Sequence, residues 1–306
     1  MQSIHESVLL HEVIQGLTAS NKTGAKGGAD VPWYLDGTLG GAGHALAIAK
    51  ALDGNVNIIG FDQDPQAIER DAKTLEGKAK KVILVRENFR NLDTVLDTHG
   101  IATVDYILLD LGLSSDELDA SGRGFSFQRD EPLHMTFGDP SAHIFTAKTI
   151  VNEWTEEVIA DIIFGYGEDR YARRIAKGIV IYRTKKPIET SMELAEIVKS
   201  SVPGFARKSK IHPATKTFQA LRIAVNDELN SLKEGLEKGY ARLGPGGRMA
   251  VISFHSLEDR IVKEFFKKQI KNGGRIFTKK PIQAGDQEVA ENPRSRSAKL
   301  RIIEKI

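Results

Sequence analysis

Three apolar stretches of the chain each end in an aspartate, and segments of helical length separate them. The three acids are Asp36, Asp62 and Asp110. Strands that alternate with helices are typical of βαβ units, which build a parallel, doubly wound sheet. The carboxyl ends of such strands meet at one edge of the sheet, where ligands bind. The sequence therefore predicts an α/β fold with three carboxylates beside a ligand site.

The order of the predicted strands is interrupted once, after the fourth. The strands are predicted at 33–35, 56–61, 82–85, 104–109 and 249–253, with a weaker pair at 275–278 and 300–303. Roughly a hundred residues with helical periodicity follow the fourth strand, enough for a small domain. We therefore expect an α/β domain at 1–113 and 212–306 and an inserted, mainly helical domain at 114–211. A single long helix is predicted at 215–240.

Composition excludes several classes of protein. The chain has no cysteine, so it cannot form disulfides, thiolate metal sites or a cysteine nucleophile. No apolar run approaches the roughly 18 residues that span a bilayer. The first residues lack the basic and apolar regions of a secretory signal. We expect a cytoplasmic protein without a membrane partner, and the sequence leaves its oligomeric state open.

The net charge of +2 conceals two basic sectors. Residues 170–222 contain 13 Lys and Arg against 3 acids, and residues 260–306 contain 13 against 5. Clustered cations on an otherwise acidic chain are typical of a polyanionic partner such as nucleic acid. Solvated helix faces would explain the same pattern. The charge pattern does not decide between the two.

The segment from Asp36 to His44, DGTLGGAGH, leads from the first strand into a helix. Its glycines allow a tight turn and a close approach of the backbone to a ligand. The dinucleotide fingerprint G-x-G-x-x-G does not fit this loop. Asp62 ends the next strand, where an acid can accept hydrogen bonds from ribose hydroxyls. Phe89, after the third strand, could cover an adenine ring or pack in the core, and together these features favour an adenosyl-type site.

Asp110 ends the fourth strand and is followed closely by Ser114. Enzymes that methylate exocyclic amines often have an Asp or Asn followed by two prolines and an aromatic residue here, and that motif is absent. An aspartate at this place could accept a hydrogen bond from an amino group, or it could cap a helix. His255 ends the fifth strand, so it could line the ligand cleft or lie in the core as a polar residue.

Nine sequence blocks, distributed from end to end, resemble the bacterial small-subunit ribosomal RNA cytosine-N4 methyltransferases of the MraW type. The blocks are HESVLL from His5, DGTLGGAGH from Asp36, DQDP from Asp62, LDLGLSS from Leu109, RGFSF from Arg123, YGE from Tyr166, HPATKTFQALRI from His212, SFHSLEDR from Ser253 and ENPRSR from Glu291. Their length and unusual composition make chance agreement in this order very improbable.

The resemblance implies a Rossmann-like class I methyltransferase sheet with an inserted helical domain, and S-adenosyl-L-methionine (AdoMet) as cofactor. The substrate would be a cytidine in the decoding region of 16S ribosomal RNA, as free RNA or in the 30S particle. Carried over by position, the cofactor contacts are Ala42, Gly43, His44, Asp62, Phe89, Asp110 and Glu117. Family members commonly have Gln at the position of Glu117, and Glu131 and His134 also depart from the family pattern.

The candidate catalytic residues are Asp110, His255 and Ser114, and no group of residues has the spacing of a metal site. The candidate RNA contacts combine cations with rings that could stack on a base. They are Arg123, Phe125, Phe127, Lys208, Lys216, Arg222, Arg294 and Arg296. For the two phenylalanines, burial in the core is an equal alternative. A direct attack of cytosine N4 on the methyl group agrees with the absence of cysteine. A nicotinamide oxidoreductase and a non-catalytic RNA-binding factor are the alternative classes.

Overall fold

The computed structural model describes residues 7–19, 31–113, 118, 121–209 and 211–306. It divides into two units: the first contains Met1–Gly112 and Leu229–Ile306, and the second contains Leu113–Glu228. Among the described helices, none combines the length and the apolar character needed to cross a membrane.

The first unit is built on a seven-stranded sheet with the order β3-β2-β1-β4-β5-β7-β6. The first five strands of the chain are parallel to one another, and β7 runs antiparallel to both β5 and β6. The strands are β1 (Trp33–Asp36), β2 (Asn57–Asp62), β3 (Lys81–Arg86), β4 (Val104–Asp110), β5 (Leu243–Ser253), β6 (Gly274–Ile276) and β7 (Lys299–Lys305). The predicted doubly wound sheet is confirmed, and all seven predicted strands are present.

Helices cover both faces of this sheet because buried side chains alternate along each strand. Tyr34 and Ile58 belong to one apolar cluster, and their neighbours Leu35 and Ile59 belong to the other. The first face packs against α1 (Leu10–Thr18), α2 (Gly43–Ala51) and α3 (Pro65–Leu75). The second face packs against α4 (Leu92–Thr98), α10 (Glu228–Arg242) and α11 (Ser256–Ile270). A short helix, α12 (Asp286–Glu291), precedes β7.

The second unit is mainly helical. Its helices are α5 (Ala147–Glu153), α6 (Glu156–Gly167), α7 (Ala172–Arg183), α8 (Ser191–Ser201) and α9 (Ala214–Asn226). They enclose one apolar cluster that also takes in side chains of the preceding loop, among them Leu133 and Met135. Side-chain caps fix several helix starts: in α8, Thr190 and Glu193 form a reciprocal capping box.

The predicted single helix at 215–240 is wrong, because Asp227 interrupts it. Asp227 has a φ of 48° in the left-handed region and caps α9, and α10 begins at the next residue. The same interruption is the boundary between the two units. Helix α9 packs against α6, so it belongs with the helical unit. The return to the sheet therefore occurs after Glu228 in the structure rather than at 212.

Candidate functional site

Three aspartates lie at the carboxyl ends of neighbouring strands. Asp36, Asp62 and Asp110 are the last residues of β1, β2 and β4, and β1 lies between the other two strands. Parallel pairing brings these ends to the same edge of the sheet. The arrangement predicted from the sequence is therefore present in the structure.

The glycine loop after β1 forms a left-handed turn. Gly40, Gly41 and Ala42 have φ values of 46°, 108° and 58°. The backbone N–H of Gly40 donates to Asp62 Oδ2 at 3.1 Å, and that of Gly41 donates to Asp71 Oδ2 at 3.1 Å. Two carboxylates thus hold two successive N–H groups of the loop. A positive φ favours glycine at the first two positions, which explains this composition.

Asp62 connects the loop to the start of α3. Its Oδ1 accepts a hydrogen bond of 2.9 Å from the N–H of Asp64, which in turn caps α3. Burial raises the pKa of the Asp62 carboxyl, while these backbone donors oppose the rise. The residue is only partly buried. A fixed, partly exposed carboxylate of this kind can accept hydrogen bonds from the hydroxyls of a bound ribose.

A second network links β1 to β4. Tyr34 donates its hydroxyl proton to Asp36 Oδ2 at 2.8 Å, and the N–H of Thr38 donates to Asp36 Oδ1 at 3.2 Å. Thr38 Oγ1 accepts a 2.7 Å hydrogen bond from the N–H of Asp110. Burial raises the pKa of the Asp36 carboxyl to about 7, with the Tyr34 and Thr38 hydrogen bonds opposing the rise.

The Asp110 carboxylate is held less completely than the others. Its Oδ2 lies 3.6 Å from His44 Nδ1, and its Oδ1 is shielded from solvent and accepts no hydrogen bond from any described residue. Burial, followed by the charges of Asp36 and Glu258, raises the pKa of Asp110 well above its usual value. A buried oxygen without a partner has a free acceptor site to offer a ligand.

The N-terminal segment fixes the start of α2. His44 Nε2 lies 3.0 Å from the carbonyl oxygen of Val8, and the imidazole is buried. A Cβ added at Gly43 would lie 2.1 Å from Ser7 Oγ, so a side chain at this position would force the Ser7 hydroxyl to move. These contacts place Ser7 and Val8 of the HESVLL block against the GAGH sequence.

Phe89 packs inside the sheet unit. A Cβ at Gly235 on α10 would lie 2.5 Å from its ring, and one at Gly37 would lie 3.2 Å from its Cβ. The ring belongs to the edge of the apolar cluster on that face of the sheet. These contacts agree with the core-packing alternative, and the adenine contact of Phe89 stays a prediction.

His255 caps a helix in the structure. Its Nδ1 accepts from the N–H of Glu258 at 3.3 Å, and Glu258 accepts from the N–H groups of Phe254 and His255. His255 Nε2 also lies 3.2 Å from Glu258 Oε1. This reciprocal box gives the histidine at the end of β5 a structural role, and its predicted catalytic role stays a prediction. Ser114 and Glu117 lie outside the described residues, so their predicted roles stay predictions.

Three candidate RNA contacts of the helical unit already pack against or pair with other side chains. Phe125 is buried and stacks on Phe137 with ring centroids 5.7 Å apart, which agrees with the core-packing alternative, and its RNA contact stays a prediction. Phe127 is half-buried and stacks on His212 at 4.6 Å. Arg222 donates two 2.8 Å hydrogen bonds to Glu228, so its guanidinium is already paired.

The remaining RNA candidates differ in how much of the cation is available. Arg123 donates to the carbonyl oxygen of Gly138 at 3.0 Å, and Lys216 is exposed but donates to that of Glu168 at 2.9 Å. Lys208 is exposed in a short 3-10 turn of the helical unit. In the sheet unit, Arg294 is half-buried and Arg296 is exposed, both in the turn before β7.

Glu131 has a structural task. It is buried, its Oε2 accepts from the N–H of Gly124 at 2.9 Å, and its own N–H donates to Ser191 Oγ at 3.2 Å. A Cβ at Gly124 would lie 2.5 Å from the carbonyl oxygen of Pro132. The side chain in which this chain departs from the family pattern therefore fixes the loop that carries Phe125.

Sequence reasoning missed Asp71 and Thr38. Asp71 is fully buried on α3 and holds the glycine loop, while Thr38 holds the backbone of Asp110. An acid on the apolar face of an amphipathic helix is a signal for a buried partner, and position 71 is such an acid. Its partner Gly41 is 30 residues away in the chain, so the partner cannot be predicted from the local sequence.

Comparison with known proteins shows one family over essentially the whole chain. The MraW methylase family matches residues 2–306. A protein of Heliobacterium modesticaldum named ribosomal RNA small subunit methyltransferase H is 46% identical over 319 residues, covering 99% of this chain and 98% of that protein. The protein of the same name from Lachnospira eligens is 44% identical, covering 100% of this chain and 99% of its own length. That from Geobacter sulfurreducens is 49% identical, covering 89% of this chain and 92% of its own length.

Two solved structures are similar at a lower level. One is a proposed rRNA methylase from Clostridium thermocellum, with 15% identity, a TM-score of 0.44 and coverage of 90% of each chain. The other is a proposed methyltransferase from Streptococcus mutans in complex with SAH, with 12% identity, a TM-score of 0.45 and coverage of 97% and 95%. Similarity at this level does not support a conclusion about function.

The full-length match agrees with the parallel sheet, the glycine turn and the acids at the strand ends. The expected Rossmann-like class I methyltransferase fold is confirmed, with an antiparallel β7 between β5 and β6. A methyltransferase that uses AdoMet as the methyl donor is confirmed with it. The chain belongs to the MraW methylase family.

Proposed function

We propose that this enzyme transfers a methyl group from AdoMet to N4 of a cytidine in the decoding region of small-subunit ribosomal RNA. The observation that carries the proposal is Asp110 Oδ1 at the end of β4, which has no hydrogen-bond partner among the described residues. The names of relatives at 44–49% identity support an rRNA substrate. Such a substrate assigns the reaction to the cytoplasm.

The residues at the sheet edge fit the cofactor. Asp62 would accept hydrogen bonds from the ribose hydroxyls, and the turn at Gly40, Gly41 and Ala42 would let the backbone lie against the ligand. Asp110 adds a buried acceptor that no other described residue occupies. When bound, AdoMet supplies a methyl group on a positively charged sulfur. A positive charge near Asp110 would favour its ionised form and oppose the effect of burial.

Asp110 is the residue that we assign to the target amine. The lone pair of cytosine N4 is delocalised into the ring, so the amine is a weak nucleophile unless its N–H is held by an acceptor. Asp110 Oδ1 would accept that N–H and direct the lone pair towards the methyl group. The hydrogen bond from the Asp110 N–H to Thr38 Oγ1 fixes the backbone that carries the carboxylate.

Transfer to N4 needs no covalent enzyme intermediate, which agrees with the absence of cysteine. As N4 bonds to the methyl group it becomes cationic, and the attached proton becomes acidic. A weak base is therefore sufficient to remove it. The main contributions of the protein to catalysis are then the exclusion of water and the orientation of the two reactants.

The test is transfer of labelled methyl from AdoMet to small subunits isolated from cells that lack the modification. Nuclease digestion and mass spectrometry of the nucleosides would identify the product, and protected RNA fragments would locate it. We expect N4-methylcytidine in the decoding region. Methylation at cytosine C5, on ribose or on another base would contradict the proposal. RNA binding without transfer would assign the chain to the non-catalytic class.

A further inference from the structure

The outer surface of α11 and the loop after β6 are strongly basic. Residues 260–280 contain 8 Lys and Arg and one acid, Glu264. The net charge of this short stretch is therefore +7, and that of the whole sector 260–306 is +8. We refer to Lys263, Lys267, Lys268, Lys271, Lys279 and Lys280 as the lysine face. All six are exposed, and the structure gives none of their ammonium groups a hydrogen bond or ion pair with a described residue.

Three of these lysines converge on one surface pocket. Lys263, Lys267 and Lys279 line it together with Phe266, Ile270 and Ile276. Ile270 is 43% exposed, so the pocket has an open apolar wall between the cations. Arg301 also lines the pocket, but its guanidinium is bound to Asp259 by hydrogen bonds of 2.7 and 3.2 Å. The charge that remains available is therefore that of the lysines.

Stabilisation of α11 explains only part of this pattern. Cations in the last turn of a helix interact favourably with its dipole, and Lys267 and Lys268 lie there. Lys263 lies a turn earlier, and Lys279 is outside the helix, after β6. A dipole effect does not account for these two side chains or for their convergence on one pocket.

The chemistry of the lysine face selects its partner. Lys263, Lys267 and Lys271 repeat at intervals of four residues, so they form one stripe along the helix. A stripe of like charges suits a polymer with regularly repeated phosphates, whose binding releases counterions. The apolar face of α11, with Val262 and Phe266, is buried against the sheet. It is therefore not available for insertion into a lipid surface.

We infer that the lysine face is a binding surface for the phosphate backbone of the RNA substrate, with room for an unstacked base against Ile270. This inference rests on the proposed function, because it takes small-subunit RNA as the partner. It assigns RNA binding to lysines of α11 and the β6 loop that the sequence analysis did not select. Lysine contacts to phosphate position an RNA without reading its sequence.

The test compares two triple variants of the full chain with equal loss of charge. The first is Lys263→Gln, Lys267→Gln and Lys279→Gln. The matched control is Lys50→Gln, Lys78→Gln and Lys80→Gln. These exposed lysines lie on α2, which connects β1 to β2, and in the segment before β3, the edge strand opposite β6. Affinity for small-subunit RNA is measured at several salt concentrations. AdoMet affinity and far-UV circular dichroism report on the fold.

We expect the first variant to bind RNA about tenfold or more weakly at low salt. Its slope of log affinity against log salt should be shallower by about 2–3 units, roughly one for each phosphate that is no longer neutralised. The control should keep the wild-type slope, and both should keep wild-type AdoMet affinity. Equal slopes in the two variants would overturn the inference, as would an unchanged first variant beside a wild type that methylates RNA. Failure of the wild type itself to bind or methylate RNA would overturn the proposed function as well.

Discussion

The backbone N–H of Asp110 donates a 2.7 Å hydrogen bond to Thr38 Oγ1, which joins the end of β4 to the glycine loop after β1. Thr38 is in turn held by Asp36, and Asp36 by Tyr34. The residue that we assign to the target amine thus has its backbone fixed by the loop that would approach the cofactor. A substitution in the loop should therefore change the position of Asp110.

Thr38→Val should remove the hydrogen bond to Asp110 while keeping the volume of the side chain. Valine retains the shape but leaves the N–H of Asp110 without an acceptor, which costs about 1–3 kcal/mol of unfolding free energy. Turnover should fall because Asp110 is no longer held in place. Thr38→Ser keeps the hydroxyl and should remain close to wild type. Urea unfolding and steady-state kinetics measure the two effects, and equal behaviour of the two variants would contradict a role for the hydrogen bond.

Asp110→Asn should lower turnover far more than AdoMet affinity. The amide retains one carbonyl oxygen but loses the negative charge that would be most useful as N4 becomes cationic. Calorimetry of AdoMet binding and the rate of methyl transfer at saturating RNA provide the comparison. Similar losses in both would make Asp110 an anchor for the cofactor rather than a residue that orients the amine.

Asp62→Ala should weaken AdoMet binding by about 1.5–3 kcal/mol, because charge-assisted hydrogen bonds to the ribose hydroxyls would be lost. Asp64→Ala is the matched control: it removes the cap of α3, which costs about 1 kcal/mol of stability, but leaves Asp62 in place. Calorimetry on both variants tests the assignment. It fails if the two variants bind AdoMet equally well.

Asp36→Asn should change how stability depends on pH. The Asp36 pKa of about 7 lies above its unfolded value of 3.8, so ionisation is disfavoured in the folded state. The wild type therefore loses stability as the pH rises from about 4 to about 7. The variant has no charge to bury at this position. The free energy of unfolding of the variant, relative to that of the wild type, should therefore rise by up to about 4 kcal/mol across that range.

The measurement for Asp36 needs a probe of the sheet unit alone. The chain has two tryptophans, Trp33 on β1 and Trp154 in the helical unit, so a Trp154→Phe background limits the fluorescence to Trp33. Urea unfolding is then followed from pH 4 to pH 8. The exposed Asp53→Asn is the matched control. Parallel pH profiles for the two substitutions would contradict the expected effect.

Phe125→Ala should act on stability rather than on RNA recognition. The ring is buried and stacks on Phe137, so its removal should cost about 3–5 kcal/mol in the helical unit. Trp154 fluorescence in a Trp33→Phe background reports on that unit. Phe205→Ala removes a ring that is 70% exposed and should leave the unfolding free energy within about 0.5 kcal/mol. A stable Phe125→Ala protein with weakened RNA binding would restore the stacking role.

The sequence alone determined the sheet, because alternation of apolar strands with helices, ended by Asp36, Asp62 and Asp110, is a local property of the chain. It also predicted the glycine turn, since the positive φ values at Gly40 and Gly41 favour that residue type. The blocks shared with the MraW family indicated the function independently of the fold.

Only the tertiary structure decided what each polar side chain touches. Asp71 holds Gly41 and Glu228 holds Arg222, and neither partnership has a local pattern in the sequence. The break at Asp227 depends on a single left-handed residue within an otherwise continuous helical pattern. The burial of Phe125 likewise depends on the helices packed around it. The Asp71 contact and the burial of Phe125 join segments that are distant in the chain, and only folding brings those segments together.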